Sequence, residues 1–183
     1  MIGNDVIDLA LAKKESDWRR PGFLDKIFTS SEQQLIGNAP NPELAVWHLW
    51  SCKEAVYKII NRQYGLRAFI PLKIECLLEE DVVTYFENQY FTHSEISNDR
   101  IHTIAVAHRE DFAKVASVSP DEIHKTNGIP YYKNTPASVS HHGRFTETIA
   151  LGYSPSLDLS LRKSKASVYA SSADEMRSAG VML

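Results

Sequence analysis

The chain has 183 residues, of which 43% are hydrophobic and 23% are charged, and its formal net charge is -3. That composition is typical of a folded chain with one domain or at most two small ones. The small negative charge disfavours nucleic acid or an anionic membrane as the main partner. No apolar run approaches the ~18 residues of a membrane span, and the first residues carry an acid where a signal peptide is basic, so we expect a cytoplasmic protein.

Residues 2–11 are predicted to form a first strand, because β-branched residues favour strands and Gly3 gives backbone freedom just before Asp5. The following connection is polar and basic, with Lys13, Lys14, Arg19 and Arg20. Thr29 and Glu32 then stand at capping-box spacing, which predicts a short helix at about 31–36.

A long helix is predicted next, because Asn41 can cap it, Pro42 suits its first position, and Gly65 can end it in the left-handed conformation. Apolar residues cover more than half of its circumference, so the helix is expected to be embedded. The remaining sector is predicted to be an exposed stripe made of Trp47, Ser51, Glu54 and Lys58.

Three charged residues on this helix allow two interpretations. Glu54 and Lys58 could form an ordinary i,i+4 ion pair, and Lys53, which falls within the apolar arc, could extend its amine to water. Alternatively, a phosphate with a metal ion could compensate for their desolvation. The helix alone does not choose between them.

After the long helix, four segments are rich in β-branched and aromatic residues, with polar turns between them. These segments are 69–77, 82–86, 89–92 and 101–107. Their short connectors favour an antiparallel meander.

The last part of the chain has weaker patterns. Residues 112–118 are a further candidate strand, 119–125 a short capped helix or turn, and 146–153 a strand. The order of elements predicts an α+β fold with one core. We expect a single domain at 1–153 and a weakly ordered, serine-rich tail at 154–183.

Three motifs occur in order along the chain: Gly3-Asn4-Asp5, then Trp50-Ser51-Cys52-Lys53-Glu54-Ala55-Val56-Tyr57-Lys58, then Ser138-Val139-Ser140-His141. They resemble G-x-D, W-x-x-K-E-A-x-x-K and S-x-S-H of the 4′-phosphopantetheinyl transferase superfamily. Their order is similar to that of the compact holo-acyl-carrier-protein synthase class. The resemblance implies a long central helix packed on an antiparallel β-sheet.

The resemblance also implies an activity, the Mg²⁺-dependent transfer of the phosphopantetheine arm of coenzyme A to a serine of an acyl or peptidyl carrier protein, with release of 3′,5′-ADP. Asp5 and Glu54 would hold the metal, since Mg²⁺ is usually bound by one or two carboxylates. Lys58 would reach the phosphates, and Lys53 would neutralise another phosphate oxygen. Glu54, Lys58 or a metal-bound water would accept the proton of the serine hydroxyl.

Further coenzyme A contacts are implied for Ser140 and His141, and for Gly128 and Pro130, which match a G-K-P motif near the adenine. Ile129 replaces the lysine of that motif, so one cationic contact is missing.

A second departure concerns the metal site. Ile7 stands where two-repeat members have a further acidic ligand, which favours a site with two carboxylates; Asp8 could approach it.

Members of the compact class form trimers with the coenzyme A site between subunits, so the resemblance implies a homotrimer. Carrier proteins are acidic, and the basic residues Lys13, Lys14, Arg19 and Arg20 are a hypothetical docking site. A solvated basic loop is the alternative for them.

Two alternative functions remain open. One is a non-catalytic module that binds coenzyme A or a carrier protein. The other is a metal-dependent phosphohydrolase, whose sites usually need more clustered ligands.

Overall fold

The structure is a computed structural model that describes residues 1–152. In that part of the chain the α-helices are α1 (Leu9–Glu15), α2 (Phe23–Ile27), α3 (Ser30–Asn38) and α4 (Pro42–Tyr64). The strands are β1 (Ile2–Asp8), β2 (Ile74–Leu77), β3 (Val82–Tyr85), β4 (Asn88–Ile96), β5 (Arg100–Val106), β6 (Val115–Ser117), β7 (Ile123–Thr126), β8 (Ile129–Tyr132), β9 (Thr135–His142) and β10 (Phe145–Leu151). The predicted tail lies outside the described residues, so the domain boundary stays a prediction.

Helix α4 has the ends that the sequence predicts. The Asn41 side chain accepts a hydrogen bond from the Leu44 amide at 3.1 Å, and Gly65 ends the helix at φ 65°. At 1.5 Å per residue the helix is about 34 Å long, and its apolar residues form the centre of the main core. No helix in the part of the chain that the structure describes, α4 included, is long and apolar enough to cross a membrane.

The strands form two five-stranded antiparallel sheets. The first has the order β1-β5-β4-β3-β2 and packs against α4; the second has the order β6-β10-β9-β8-β7. The α+β class, the long central helix and the antiparallel meander are therefore confirmed. The sequence predicted neither the second sheet as a separate unit nor the place of β1, which lies at the edge of the first sheet beside β5.

The free edge of β1 is bonded to side chains of β9 and not to its backbone. Three alternate amides of β1 donate to three alternate side chains of β9: Asn4 to Ser138 Oγ at 2.9 Å, Val6 to Ser140 Oγ at 3.0 Å, and Asp8 to His142 Nδ1 at 2.9 Å. Alternate residues of a strand point to the same side, so one face of β9 supplies all three acceptors. We call this contact the seam between the sheets.

Gly3 brings β1 unusually close to α4. A Cβ atom at this position would overlap the carbonyl oxygen of Ala55 and would lie 3.3 Å from the Cβ of Lys58. The glycine of G-x-D thus permits the strand to pack directly on the backbone of the helix that carries Glu54 and Lys58.

The N-terminal prediction is wrong in its boundary. The strand ends at Asp8 rather than at residue 11, because the Asp8 carboxylate accepts from the amides of Ala10 (3.1 Å) and Leu11 (3.3 Å) and so caps α1. Lys13 and Lys14 consequently lie in the last turn of a helix and not in a loop.

Of the other local predictions, two are confirmed and one is wrong in its boundary. The capping box of Thr29 and Glu32 is present at the start of α3, and Pro120–Glu122 is a short helical turn. The expected strand at 69–77 is shorter, because Pro71–Lys73 forms a 3₁₀ turn before β2.

We expect Gly3→Ala to lower the free energy of unfolding by at least about 2 kcal/mol, because overpacking against a helix backbone cannot be relieved by a side-chain rotation. Urea unfolding followed by circular dichroism measures the change. Gly37→Ala is the matched control, since nothing lies within 4 Å of the added methyl group in α3. It should leave stability unchanged or raise it by up to about 1 kcal/mol; equal effects of the two substitutions would contradict the close approach.

Candidate active site

Lys58 connects three elements at the seam. Its ammonium donates to the carbonyl oxygens of Asn4 in β1 (2.5 Å) and Val139 in β9 (3.2 Å). It also lies 3.9 Å from Asp5 Oδ1. The lysine side chain therefore lies where α4, β1 and β9 meet, and it retains 29% exposure.

Asp5 is the carboxylate at the centre of this arrangement. Its Oδ1 accepts a hydrogen bond from the Ser140 hydroxyl at 3.1 Å, whereas its Oδ2 is buried and has no hydrogen-bond partner among residues 1–152. Burial raises the pKa of Asp5, and the nearby Lys58 ammonium and the Ser140 hydroxyl oppose that rise. The free, desolvated oxygen is suited to a cation.

Glu54 precedes Lys58 by one turn and faces the same region. Burial, and then the negative charge of Asp5, raise the pKa of Glu54 from 4.5 to about 7, while Lys58 opposes the change. Burial lowers the pKa of Lys58, and the two carboxylates oppose that shift. Two desolvated carboxylates thus share one ammonium. At alkaline pH, where both carboxylates are ionised, their two negative charges face at most one positive charge.

The donors present fit a magnesium ion. Mg²⁺ is commonly held by one or two carboxylates, with phosphate oxygens and water completing its coordination, and Asp5 and Glu54 could supply the two. Among the described residues no group of three or more His, Cys, Asp and Glu side chains could hold a metal.

A cleft of about 300 Å³ opens beside Lys58. Gly128 and Pro130, predicted from the G-K-P resemblance, line it together with Lys58. Asn127 and Gly128 form the turn between β7 and β8 with φ of 53° and 81°, the positive values that a tight hairpin requires. The hairpin therefore carries Gly128 and Pro130 to the last turns of α4.

The predicted residues of S-x-S-H have two different places. Ser140 accepts from Val6 and donates to Asp5, so its hydroxyl orients the carboxylate. The contact of Ser140 with coenzyme A stays a prediction. His141 is exposed and lies on the same face of β9 as Val139, which lines the cleft. Its contact with coenzyme A stays a prediction.

Lys53 does not lie at the site, so its predicted phosphate role is wrong. Its side chain is 0% exposed and its ammonium lies 2.8 Å from the Glu32 carboxylate of α3. It also donates to the carbonyl oxygens of Pro71 (2.9 Å) and Ile74. These partners satisfy the ammonium on the side of α4 that packs against α3 and β2.

The expected approach of Asp8 to the metal site is also wrong. Arg144 Nε donates to Asp8 Oδ2 at 2.8 Å, and this guanidinium holds the pKa of Asp8 well below its usual range. The Asp8 carboxylate thus accepts hydrogen bonds from the first amides of α1 and from Arg144. Ile7, at the position of the further acidic ligand in two-repeat members, is buried in the main core.

The stripe on α4 faces inward and not toward solvent. Trp47 and Ser51 are buried, and Glu54 and Lys58 are half-buried. Continuing the stripe by four residues reaches Arg62, which also lines the cleft and which sequence reasoning missed. The i,i+4 spacing from Lys58 was the signal that could have found it.

Sequence reasoning also missed the seam acceptors Ser138 and His142. Their i,i+2 and i,i+4 spacing with Ser140 was a signal, but it needed the partner strand to be known.

The fold and the site define an α+β protein in which two carboxylates meet a lysine that lines a cleft. The chain belongs to the 4′-phosphopantetheinyl transferase superfamily, whose family model matches residues 1–116. It is similar to a holo-[acyl-carrier-protein] synthase of Caldanaerobacter subterraneus subsp. tengcongensis, with 32% identity over 79 residues. The match covers 43% of this chain and 60% of that protein.

Among solved structures, it resembles a holo-[acyl-carrier-protein] synthase from Neisseria meningitidis at a TM-score of 0.46 and 20% identity. That match covers 59% of this chain and 97% of the other.

We expect Lys53→Met to destabilise the protein by about 3–5 kcal/mol, because it leaves Glu32 as an uncompensated buried charge. The double variant Lys53→Met/Glu32→Gln should recover part of the loss, since the buried charge is then absent. Chemical unfolding measures both. Normal stability of Lys53→Met combined with lost coenzyme A binding would instead restore Lys53 to the site.

Glu54 should make metal-free protein less stable as pH rises. Its pKa is raised in the folded state, so the folded chain binds more protons between about pH 4.5 and 7, and stability falls as pH rises through that window. Relative to Glu54→Gln, the wild type should lose about 2 kcal/mol from pH 4.5 to 8, a value discounted for partial exposure. Urea unfolding in a chelator tests this; a constant difference at all pH values would contradict the shift.

Proposed function

We propose that this chain transfers the 4′-phosphopantetheine arm of coenzyme A to a serine hydroxyl of an acyl or peptidyl carrier protein and releases 3′,5′-ADP. The observation that supports it best is the meeting of Asp5 and Glu54 with Lys58, a lysine that also lines the cleft. Membership of the superfamily supports the same chemistry.

Phosphoryl transfer depends mainly on positioning and on compensating charge. Asp5 and Glu54 would hold Mg²⁺, which would neutralise charge on the pyrophosphate. Lys58 would donate to a pyrophosphate oxygen from the mouth of the cleft. Its ammonium is held by two backbone carbonyls, so little reorganisation is needed when the substrate binds.

In the reaction, the serine oxygen forms a bond to the β-phosphorus of coenzyme A, and the bond from that phosphorus to the bridging oxygen breaks. The bridging oxygen leaves with 3′,5′-ADP. Glu54 or a metal-bound water would accept the proton of the serine hydroxyl. The Lys58 ammonium donates to its neighbours and has no lone pair to accept a proton.

The carrier protein would dock on the basic residues that follow β1. Lys13, Lys14, Arg19 and Arg20 are all exposed, and α1 begins directly after the strand that carries Asp5. An acidic partner held there would present its serine near the carboxylates. Charge reversal by Lys13→Glu/Lys14→Glu should raise KM for the carrier several-fold without changing coenzyme A affinity; an unchanged KM would exclude this docking site.

A homotrimer, as in the compact class, and a cytoplasmic location complete the proposal. Within residues 1–152 the cleft takes its lining from β1, α4, β7, β8 and β9 and from the β7–β8 turn of one chain. Active monomers in light scattering would exclude trimerisation as a requirement.

The second candidate is a non-catalytic module that binds coenzyme A or a carrier protein. One observation favours it: Ile129 lines the cleft where the G-K-P motif has a lysine.

The decisive experiment incubates the protein with coenzyme A, Mg²⁺ and an apo carrier protein, and measures the carrier by mass spectrometry. We expect a gain of one phosphopantetheine arm, abolished by chelation, and at least a 100-fold lower rate for Glu54→Gln. Glu43→Gln, in the first turn of α4, is the control and should retain the rate.

Two other results are informative in this assay. Coenzyme A binding without transfer to any carrier would favour the module. Full activity of Glu54→Gln would overturn the assignment of the metal ligand.

A further inference from the structure

Ser51 is a buried residue of α4 whose hydroxyl is not satisfied by the fold. The side chain is 0% exposed, and its Oγ has no hydrogen-bond partner among residues 1–152. A helical serine often donates to the carbonyl oxygen four residues earlier, but Ser51 makes no such bond to Trp47 within this part of the chain. A buried hydroxyl without a partner is costly, so Ser51 is suited to a bond that forms when a ligand arrives.

The packing of β1 on α4 brings Asp5 opposite Ser51. The two elements run in opposite directions, since Ile2 lines the cleft beside the last turn of α4 and a Cβ atom at Gly3 would overlap the carbonyl oxygen of Ala55. Asp5 follows Gly3 by two residues on the same face of the strand, a distance of about 7 Å. Ser51 precedes Ala55 by one helical turn, about 6 Å along the axis. The two steps have nearly the same length, so Asp5 faces the turn of α4 that carries Ser51.

Two buried oxygen atoms without hydrogen-bond partners meet at this contact. Asp5 Oδ2 is the second of them. Burial raises the pKa of Asp5, and the Ser51 hydroxyl is one of the neighbouring groups that oppose this rise. The other oxygen of the carboxylate, Oδ1, accepts a hydrogen bond from Ser140 at 3.1 Å. The carboxylate is therefore fixed by β9 at one oxygen, whereas nothing in residues 1–152 fixes the other.

A divalent cation gives the Ser51 hydroxyl a task. Ser51 precedes Glu54 by three residues and so lies on the same face of α4, next to both proposed metal ligands. A carboxylate oxygen accepts more than one partner, so Asp5 Oδ2 can bind a cation and accept from a hydroxyl at the same time. Groups that hydrogen-bond a metal ligand orient it, and their loss typically lowers metal affinity 10–100-fold.

We propose that Ser51 is a positioning residue of the magnesium site: its hydroxyl donates to Asp5 Oδ2 when the cation is bound and fixes the carboxylate from α4, as Ser140 does from β9. This inference rests on the proposed function, because it takes Asp5 and Glu54 to hold the ion. Ser51 acts through Asp5 and touches neither the substrate nor the reacting atoms.

Binding of Mn²⁺ to the full chain, measured by electron paramagnetic resonance of the free ion, tests the inference without substrate or turnover. Mn²⁺ is used because it prefers the same oxygen ligands as Mg²⁺. Ser51→Ala should bind Mn²⁺ at least ten-fold more weakly than the wild type. Cys52→Ala is the matched control and should retain the affinity, because Cys52 is the adjacent buried residue of α4 and its Sγ lies 3.9 Å from Ser94 Oγ in β4.

Thermal unfolding in a chelator separates positioning from a purely structural role. Ser51→Ala should leave the stability of metal-free protein unchanged or raise it, because alanine removes an unsatisfied buried hydroxyl and is the better helix former. A structural Ser51 would instead lower this stability and leave the Mn²⁺ affinity unchanged, which would overturn the inference. Absence of Mn²⁺ binding by the wild type would overturn it as well.

The carrier assay supplies a third measurement. In Ser51→Ala the Mg²⁺ concentration for half-maximal rate should rise at least ten-fold, and excess Mg²⁺ should restore most of kcat. An equal loss of rate at every Mg²⁺ concentration would contradict a positioning role. Transfer with the same Mg²⁺ dependence in both proteins rejects only the task of Ser51, whereas absence of transfer by the wild type rejects the proposed function.

Discussion

The hydrogen bonds at the free edge of β1 are the constraint on which the site depends. An edge strand leaves donors and acceptors unpaired, and here Ser138, Ser140 and His142 accept from its amides. Side chains of β9, and not a backbone ladder, join it to β1. The carbonyl oxygens of Asn4 and Val139 therefore remain free for Lys58.

The motif residues consequently fall into two groups. Gly3, Ser138, Ser140 and Lys53 build the structure: a close approach to α4, the seam, and a buried ion pair. Asp5, Glu54 and Lys58 carry the charge that the fold concentrates at one point. The core around α4 keeps these groups desolvated, and burial therefore raises the pKa of both carboxylates and lowers the pKa of Lys58.

Lys53 and Glu54 are neighbours in sequence but lie in different environments, because successive helix residues are about 100° apart. Glu54 faces β1 and the seam, whereas Lys53 faces Glu32, which also accepts from the amides of Thr29 (2.8 Å) and Cys76 (2.8 Å). One buried carboxylate thus completes a capping box, holds β2 and pairs with Lys53. Periodicity assigned Lys53 to the apolar arc, but it predicted neither its burial nor its counter-ion.

The sequence by itself determined the features that depend on neighbouring residues. These are the two ends of α4, the capping box of α3, the meander of β2 to β5, and the shared face of Glu54 and Lys58. The order of the motifs further predicted that Asp5 and the segment with Gly128 and Pro130 lie in the same region as Glu54 and Lys58. Tertiary structure alone decided that β9 lies against β1, that the stripe on α4 points inward, and that Arg62 lines the cleft. These depend on contacts between residues more than 50 positions apart, as between Arg62 and Pro130 or Asn4 and Ser138, and local propensity carries no information about such pairings.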